Sequence, residues 1–213
     1  MNRLFSTYIY SKHNSYERRK LNAYYGMCPN WHVSNWRVGS SAKKEEGPFS
    51  IKNFDVSIVN DAKLTGSTEA KDENGKTKQI VSNSLYYSMD IYKNGRKQLH
   101  KPNSEMDVKV IPNDSLISTS KEVLGYNVFA HTDEGLGTGI GIDDFNDKGK
   151  GKIDLFYELG ANEKNDAVPL SPPKDKLEKL RKKAREGDLV LYRDKKEIAR
   201  YDLKTLKYKE PQK

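Results

Sequence analysis

The sequence predicts a mainly β protein, an antiparallel β-sandwich or barrel, with two short helices carried in N- and C-terminal extensions. Three observations lead there. Short apolar runs with period-two alternation fill residues 48–160, turn signals recur between them, and the composition changes on either side. The chain divides accordingly into an aromatic, basic arm (1–47), an antiparallel β region (48–160) and a C-terminal part (161–213) made of a linker, a basic helix and a hairpin.

In the arm, Asn14-Ser-Tyr-Glu17 has the form of a capping box. A helix from about Ser15 to Tyr25 can follow, with Gly26 as a left-handed stop. Beyond Pro29, the stretch from Trp31 to Val38 reads as extended, and Ser40 to Gly47 as an exposed linker.

The β region opens with Phe49 and Ile51, then Phe54, Val56 and Ile58, two alternating sets one position out of phase. A β-bulge reconciles them. Asn74-Gly75 and Asn94-Gly95 read as type I′ hairpin turns, which need positive φ at both central residues. Leu85 to Tyr92, Met106 to Ile111 and Val123 to His131 read as further strands. The run from Gly135 to Phe145 pairs with Ile153 to Leu159 in another hairpin. Its glycines, Gly135, Gly137, Gly139 and Gly141, recur with period two and strip one strand face of side chains, which lets another element approach closely.

After Gly160, Ala161 to Pro173 reads as a linker. Lys174 to Glu186 reads as a helix with a narrow apolar stripe, Leu177, Leu180 and Ala184, ended by Gly187. Leu189 to Tyr201 reads as a hairpin, and Lys204 to Lys213 as a tail.

Composition narrows the function classes. Leu, Ile, Val and Phe make 45 of 213 residues, so the core is thin, yet a net charge of +8 is modest for the length. No apolar run reaches the roughly 18–20 residues that span a bilayer. The start, Met1 to Lys12, lacks the unbroken apolar run and cleavage site of a signal peptide. Cytoplasmic residence, or a particle assembled inside a cell, is the expectation, with a viral or phage component among the candidates. The single Cys28 excludes a disulfide scaffold.

The chemical motifs are weak. His13, Cys28 and His32 lack a fourth zinc ligand, and Pro29 keeps Cys28 and His32 off one regular helical face. Asp144 to Gly149 imitates a calcium loop but places Lys148 and Leu155 where oxygen ligands belong. No metal site and no cofactor are expected. His131, with Asp133 or Asp144, could form the centre of a hydrolase-like enzyme, but no nucleophile motif accompanies it.

The basic ends carry more. Net charge is +5 over residues 1–50, −3 over 51–160 and +6 over 161–213. The leading reading is a non-enzymatic structural or interaction subunit of a larger protein assembly. It docks on other subunits, as a homo- or hetero-oligomer, through Tyr8, Tyr10, Tyr24, Tyr25, Trp31 and Trp36, large aromatics of the kind that anchor interfaces. The alternative is a nucleic-acid-binding β protein, single-strand or nonspecific, using Arg18, Arg19 and Lys20 of the arm. Its second cationic face would be Lys179, Arg181, Lys182, Lys183 and Arg185.

Overall fold

The computed structural model describes residues 47–94, 106–130, 137–142 and 149–212. Two four-stranded antiparallel sheets and one small hairpin dominate it, with three short helices. No closed barrel forms among the described residues.

The first sheet has the order β1-β4-β7-β6, built from β1 (Phe49–Val59), β4 (Ser82–Lys93), β7 (Lys150–Ala161) and β6 (Thr138–Ile142). In β4 the odd positions Leu85, Tyr87, Met89 and Ile91 are buried, and in β7 so are Ile153, Leu155, Tyr157 and Leu159. That is the inward face of a strand with period two. The out-of-phase alternation in β1 is a bulge. Register against β4 slips between Lys52 and Asp55, and Asn53 sits there at φ 50°, a left-handed conformation that Asn tolerates better than most residues. Its side-chain amide donates to Asp90 Oδ2 at 2.7 Å.

Of the period-two glycines, Gly139 and Gly141 lie on β6 beside β7 and Gly137 just before it, while Gly135 lies outside the described residues. Gly139 faces Phe156, and a Cβ there would stand 2.1 Å from the ring. Gly139 therefore accommodates an aromatic ring from the neighbouring strand, while Gly137 gives room to the Glu158 carboxyl.

The second sheet has the order β10-β9-β8-β5, from β10 (Tyr208–Lys209), β9 (Lys196–Asp202), β8 (Gly187–Arg193) and β5 (Met106–Pro112). Strands β8 and β9 form the expected hairpin. Its two-residue turn, Asp194-Lys195, has φ 50° and 64°, so both central residues are left-handed without a glycine. Because β5 pairs with β8, the C-terminal part is built into the same body as the β region. Val108, Leu189, Leu191 and Leu180 join Leu85, Tyr87 and Leu155 in one hydrophobic cluster.

Several expectations need correction. Residues 48–160 are not β throughout. Helix α1 (Ala62–Thr65) interrupts them, and so does α2 (Asp114–Leu124), which was not foreseen. The strand expected from Val123 is absent over 123–130, where α2 ends and turns follow. The physical reason is the capping. Asn113 Oδ1 accepts the Leu116 N–H at 3.0 Å, and Gly125 closes the helix at φ 87°. Ser120 is wholly buried, donates to Tyr126 O and accepts the Val128 N–H, both at 2.9 Å, and so folds the chain back.

The Asn74-Gly75 turn joins β2 (Thr68–Lys71) and β3 (Thr77–Ile80), but only Gly75 has positive φ. Asp72 O accepts from Gly75 N and Asp72 N donates to Lys76 O, a type I turn with a glycine bulge rather than type I′. Residues 204–212 are not merely a tail, since β10 pairs with β9 and Tyr208 packs edge-on to Tyr201. The linker 161–173 is tied down as well: Asp166 Oδ1 accepts the Lys71 N–H at 2.7 Å. The basic helix is α3 (Lys174–Lys183), ending three residues earlier than expected, with Leu177, Leu180 and Ala184 all buried. The expected arm helix lies outside the described residues.

Candidate interaction site

Among the described residues, strand β1 ends its sheet, and one of its edges is hydrogen-bonded to another strand, β4. An open edge attracts other strands unless something blocks it. Side chains from two other elements reach this edge. At its start, the Tyr201 hydroxyl of β9 accepts from Phe49 N at 3.0 Å and donates to Phe49 O at 2.8 Å. Burial pushes that phenol up to about 12, so it stays a donor at any physiological pH. Further along, Arg185 of the segment after α3 donates to Phe54 O at 3.2 Å and stacks over the Phe54 ring at 4.8 Å. Arg181 Nη1 reaches Val56 O at 3.4 Å, a long and weak bond.

Between β1 and α3 the structure leaves a cleft of about 540 Å³. Val56, Ile58, Leu177 and Pro172 supply its apolar surface. Asn83 and Asn162 also line it, joined by a hydrogen bond of 2.6 Å from Asn83 Nδ2 to Asn162 Oδ1. Its charges are balanced: Arg181 and Lys174 against Asp55 and Glu178. Arg181 and Glu178 form a two-bonded fork at 2.7 and 2.5 Å. The guanidinium holds the Glu178 carboxyl below the usual carboxylate range.

The residues before β1 are clamped. Gly47 is buried, and a Cβ there would lie 2.2 Å from the Tyr208 ring. Asn94 donates from its side chain to Gly47 O and from its backbone to Pro48 O, both at 2.9 Å. The aromatic arm therefore joins the body at a defined point between the ends of β4, β9 and β10.

The aromatic residues Tyr8, Tyr10, Tyr24, Tyr25, Trp31 and Trp36 lie outside the described residues, as do Arg18, Arg19, Lys20 and His131. So do Asp133, Asp144, and the His13, Cys28 and His32 set. The C-terminal cations are described, and four of the five meet groups of the same chain. Lys179 meets Glu122 of α2 at 2.5 Å, Lys183 meets Glu186 at 2.8 Å, and Arg181 and Arg185 are engaged as above. Lys182 is exposed and lies within electrostatic reach of Glu178. Sequence reasoning passed over Asp55, Asn83, Asn162 and Glu178. Their meeting depends on how α3 crosses β1, which no local pattern encodes. Among the described residues no three His, Cys, Asp or Glu side chains gather as a metal site, and no helix is long and apolar enough to cross a membrane.

No protein-family model, no curated protein and no solved structure matches the chain.

Proposed function

We propose that this protein is a non-enzymatic interaction subunit of a larger assembly, with its two sheets stacked as a sandwich and its aromatic arm gripping a neighbouring subunit. The observation that supports this reading is the clamp at 47–49. Tyr8, Tyr10, Tyr24, Tyr25, Trp31 and Trp36 precede a root held by Asn94, Tyr201 and Tyr208. An arm with a fixed origin loses less freedom on docking than one tethered loosely. Assembly inside a cell, with protein partners and no cofactor, belongs to the same proposal.

The nucleic-acid alternative would use cations of the basic helix that already take part in ion pairs within the chain. Counterion-releasing contacts need cations available to phosphate. Lys179, Arg181, Lys183 and Arg185 meet Glu122, Glu178, Glu186 and the Phe54 carbonyl in contacts that stay partly open to water, and Lys182 is exposed.

Light scattering on a sizing column tests the proposal, with absorbance at 260 and 280 nm recorded across each peak. The intact protein is expected to run as a protein-only multimer, and Tyr24→Ala/Tyr25→Ala/Trp36→Ala as a folded monomer. A multimer unchanged by the triple substitution would remove the arm from the interface. A 260 nm-rich peak that dissociates in high salt would restore nucleic acid.

A further inference from the structure

The cleft between β1 and α3 has features of a polypeptide site. We propose that it binds an extended, uncharged segment of a partner polypeptide, which adds to the open edge of β1 as a further strand. This deepens the interaction reading at a second place and does not depend on the arm.

The edge itself is the first argument. Phe54 O and Val56 O accept hydrogen bonds from arginines on the side away from β4. Alternate residues of a strand point their N–H and C=O groups to the same edge. Ile58, two residues beyond Val56, therefore presents both groups along the cleft. The edge offered from Asp55 to Ile58 is roughly 13 Å long at about 3.3 Å per residue. The Arg181 bond to Val56 O, at 3.4 Å, is weak enough for a partner N–H to replace. Arg181 keeps its fork to Glu178 when that happens, so no charge is stranded.

The second argument is the opposite wall. A helix lying beside an open strand edge makes the groove in which extended peptides add to sheets, with backbone bonds supplying affinity and side-chain pockets supplying selectivity. Here the half-buried Ile58 and Pro172 offer the apolar surface, over a floor of Val56 and Leu177 that is already packed in the core. Asn83 and Asn162 add carboxamides, which pair with peptide groups as both donors and acceptors. The third argument is charge. Two cations face two anions, and the fork neutralises one of each. A neutral peptide suits that balance, whereas a phosphate backbone would meet Asp55 and Glu178.

The test uses the full chain and two plugs placed at exposed positions that line the cleft, Asn162→Trp and Lys174→Trp. A phage-displayed library of random peptides of about seven residues is panned on the unaltered protein. An enriched sequence is then synthesised and its affinity measured by titration, with circular dichroism confirming that each variant is folded. The expected result is a loss of at least about tenfold in affinity in both plugged variants. Hydrogen exchange should slow at Ile58 when the peptide is bound. The arm variant Tyr24→Ala/Tyr25→Ala/Trp36→Ala should bind the peptide normally, which separates this site from the assembly reading. Enriched peptides that bind both plugged variants unchanged would overturn the proposal, as would a library that yields no enrichment. Binding of an oligothymidylate that the same plugs abolish would overturn it in favour of nucleic acid.

Discussion

Two arginine-centred regions absorb positive charge in this molecule by different means. On the second sheet, Arg200 of β9 is 6% exposed and lies between Glu197 of its own strand and Asp188 of β8. It forks onto Glu197 at 2.9 and 2.8 Å and reaches Asp188 at 3.1 Å. Asp188 in turn holds Lys209 of β10 at 2.6 Å, and Glu197 accepts from Gln212 N at 3.2 Å. On α3, Arg181 makes a similar fork to Glu178, but both partners are more than a third exposed. The chemistry is the same and the surroundings differ. A charge taken out of water must be fully paired, and removing its partner leaves an uncompensated ion. A fork at the surface is largely replaced by water. The first region therefore fastens the C-terminal strand, while the second can release a strand edge.

Arg200→Ala should break this contrast most severely. It leaves Glu197 and Asp188 facing each other without their guanidinium, at a cost of about 3 kcal/mol in urea unfolding. Protection from hydrogen exchange along β10 should fall with it. An effect as small as that of a surface substitution would show that the region is wetter than its burial indicates.

Tyr201→Phe comes next. It removes one hydroxyl that satisfies both backbone groups of Phe49, and should cost about 1–3 kcal/mol. Loss of order should centre on residues 47–50. The aromatic pair with Tyr208 survives the change, so an unchanged melting temperature would mean that other groups close this end of β1.

The acids sharpen the comparison through pH. Glu197 is held below the ordinary carboxylate range, first by Arg200. Its contribution is complete above the unfolded value of about 4.3 and disappears as pH falls through the lower folded value. Acid titration of stability should therefore be steeper in the wild type than in Arg200→Ala. Glu158 of β7 behaves oppositely, because burial raises its pKa despite the Gly137 N–H it accepts. It penalises folding at neutral pH, and the penalty fades as pH falls through the raised value. Glu158→Gln should raise the melting temperature at pH 7 and leave it unchanged near pH 4. Equal gains at both pH values would mean that packing, and not ionisation, is responsible.

The smallest effect is expected at the helix. Arg181→Ala should leave unfolding within error of wild type, since the fork is exposed and the bond to Val56 O is long. A marked loss would identify Arg181 as a structural tie and weaken the view of it as a replaceable cover for the edge.

Helices α2 and α3 show where sequence reasoning succeeds and where it stops. In α3, Leu177, Leu180 and Ala184 form a stripe with helical spacing, and all three are buried. In α2 the buried positions are Leu116, Thr119, Ser120 and Val123. The spacing is equally helical, but two of the four carry hydroxyls, so an apolar periodicity misses it. Those hydroxyls find backbone partners within the helix and the turn after it. The Asn113 cap and Gly125 stop were present in the sequence and outweighed by a reading of continuous strands. The bulge in β1 was legible because it shifts the phase of an apolar alternation. The cleft was not, because its lining comes from positions over a hundred residues apart, such as Val56 and Arg181.

The sequence by itself determined the predominance of short antiparallel strands, the bulge, the C-terminal helix and hairpin, and the uneven charge. Each is set by side-chain period, turn chemistry or composition within a few residues. Tertiary structure alone decided that β5 pairs with β8, that the last residues add a strand, and that the basic helix meets acids and backbone carbonyls. These outcomes depend on which surfaces can be buried together, and the balance between burying charge and pairing it is struck only when distant segments meet.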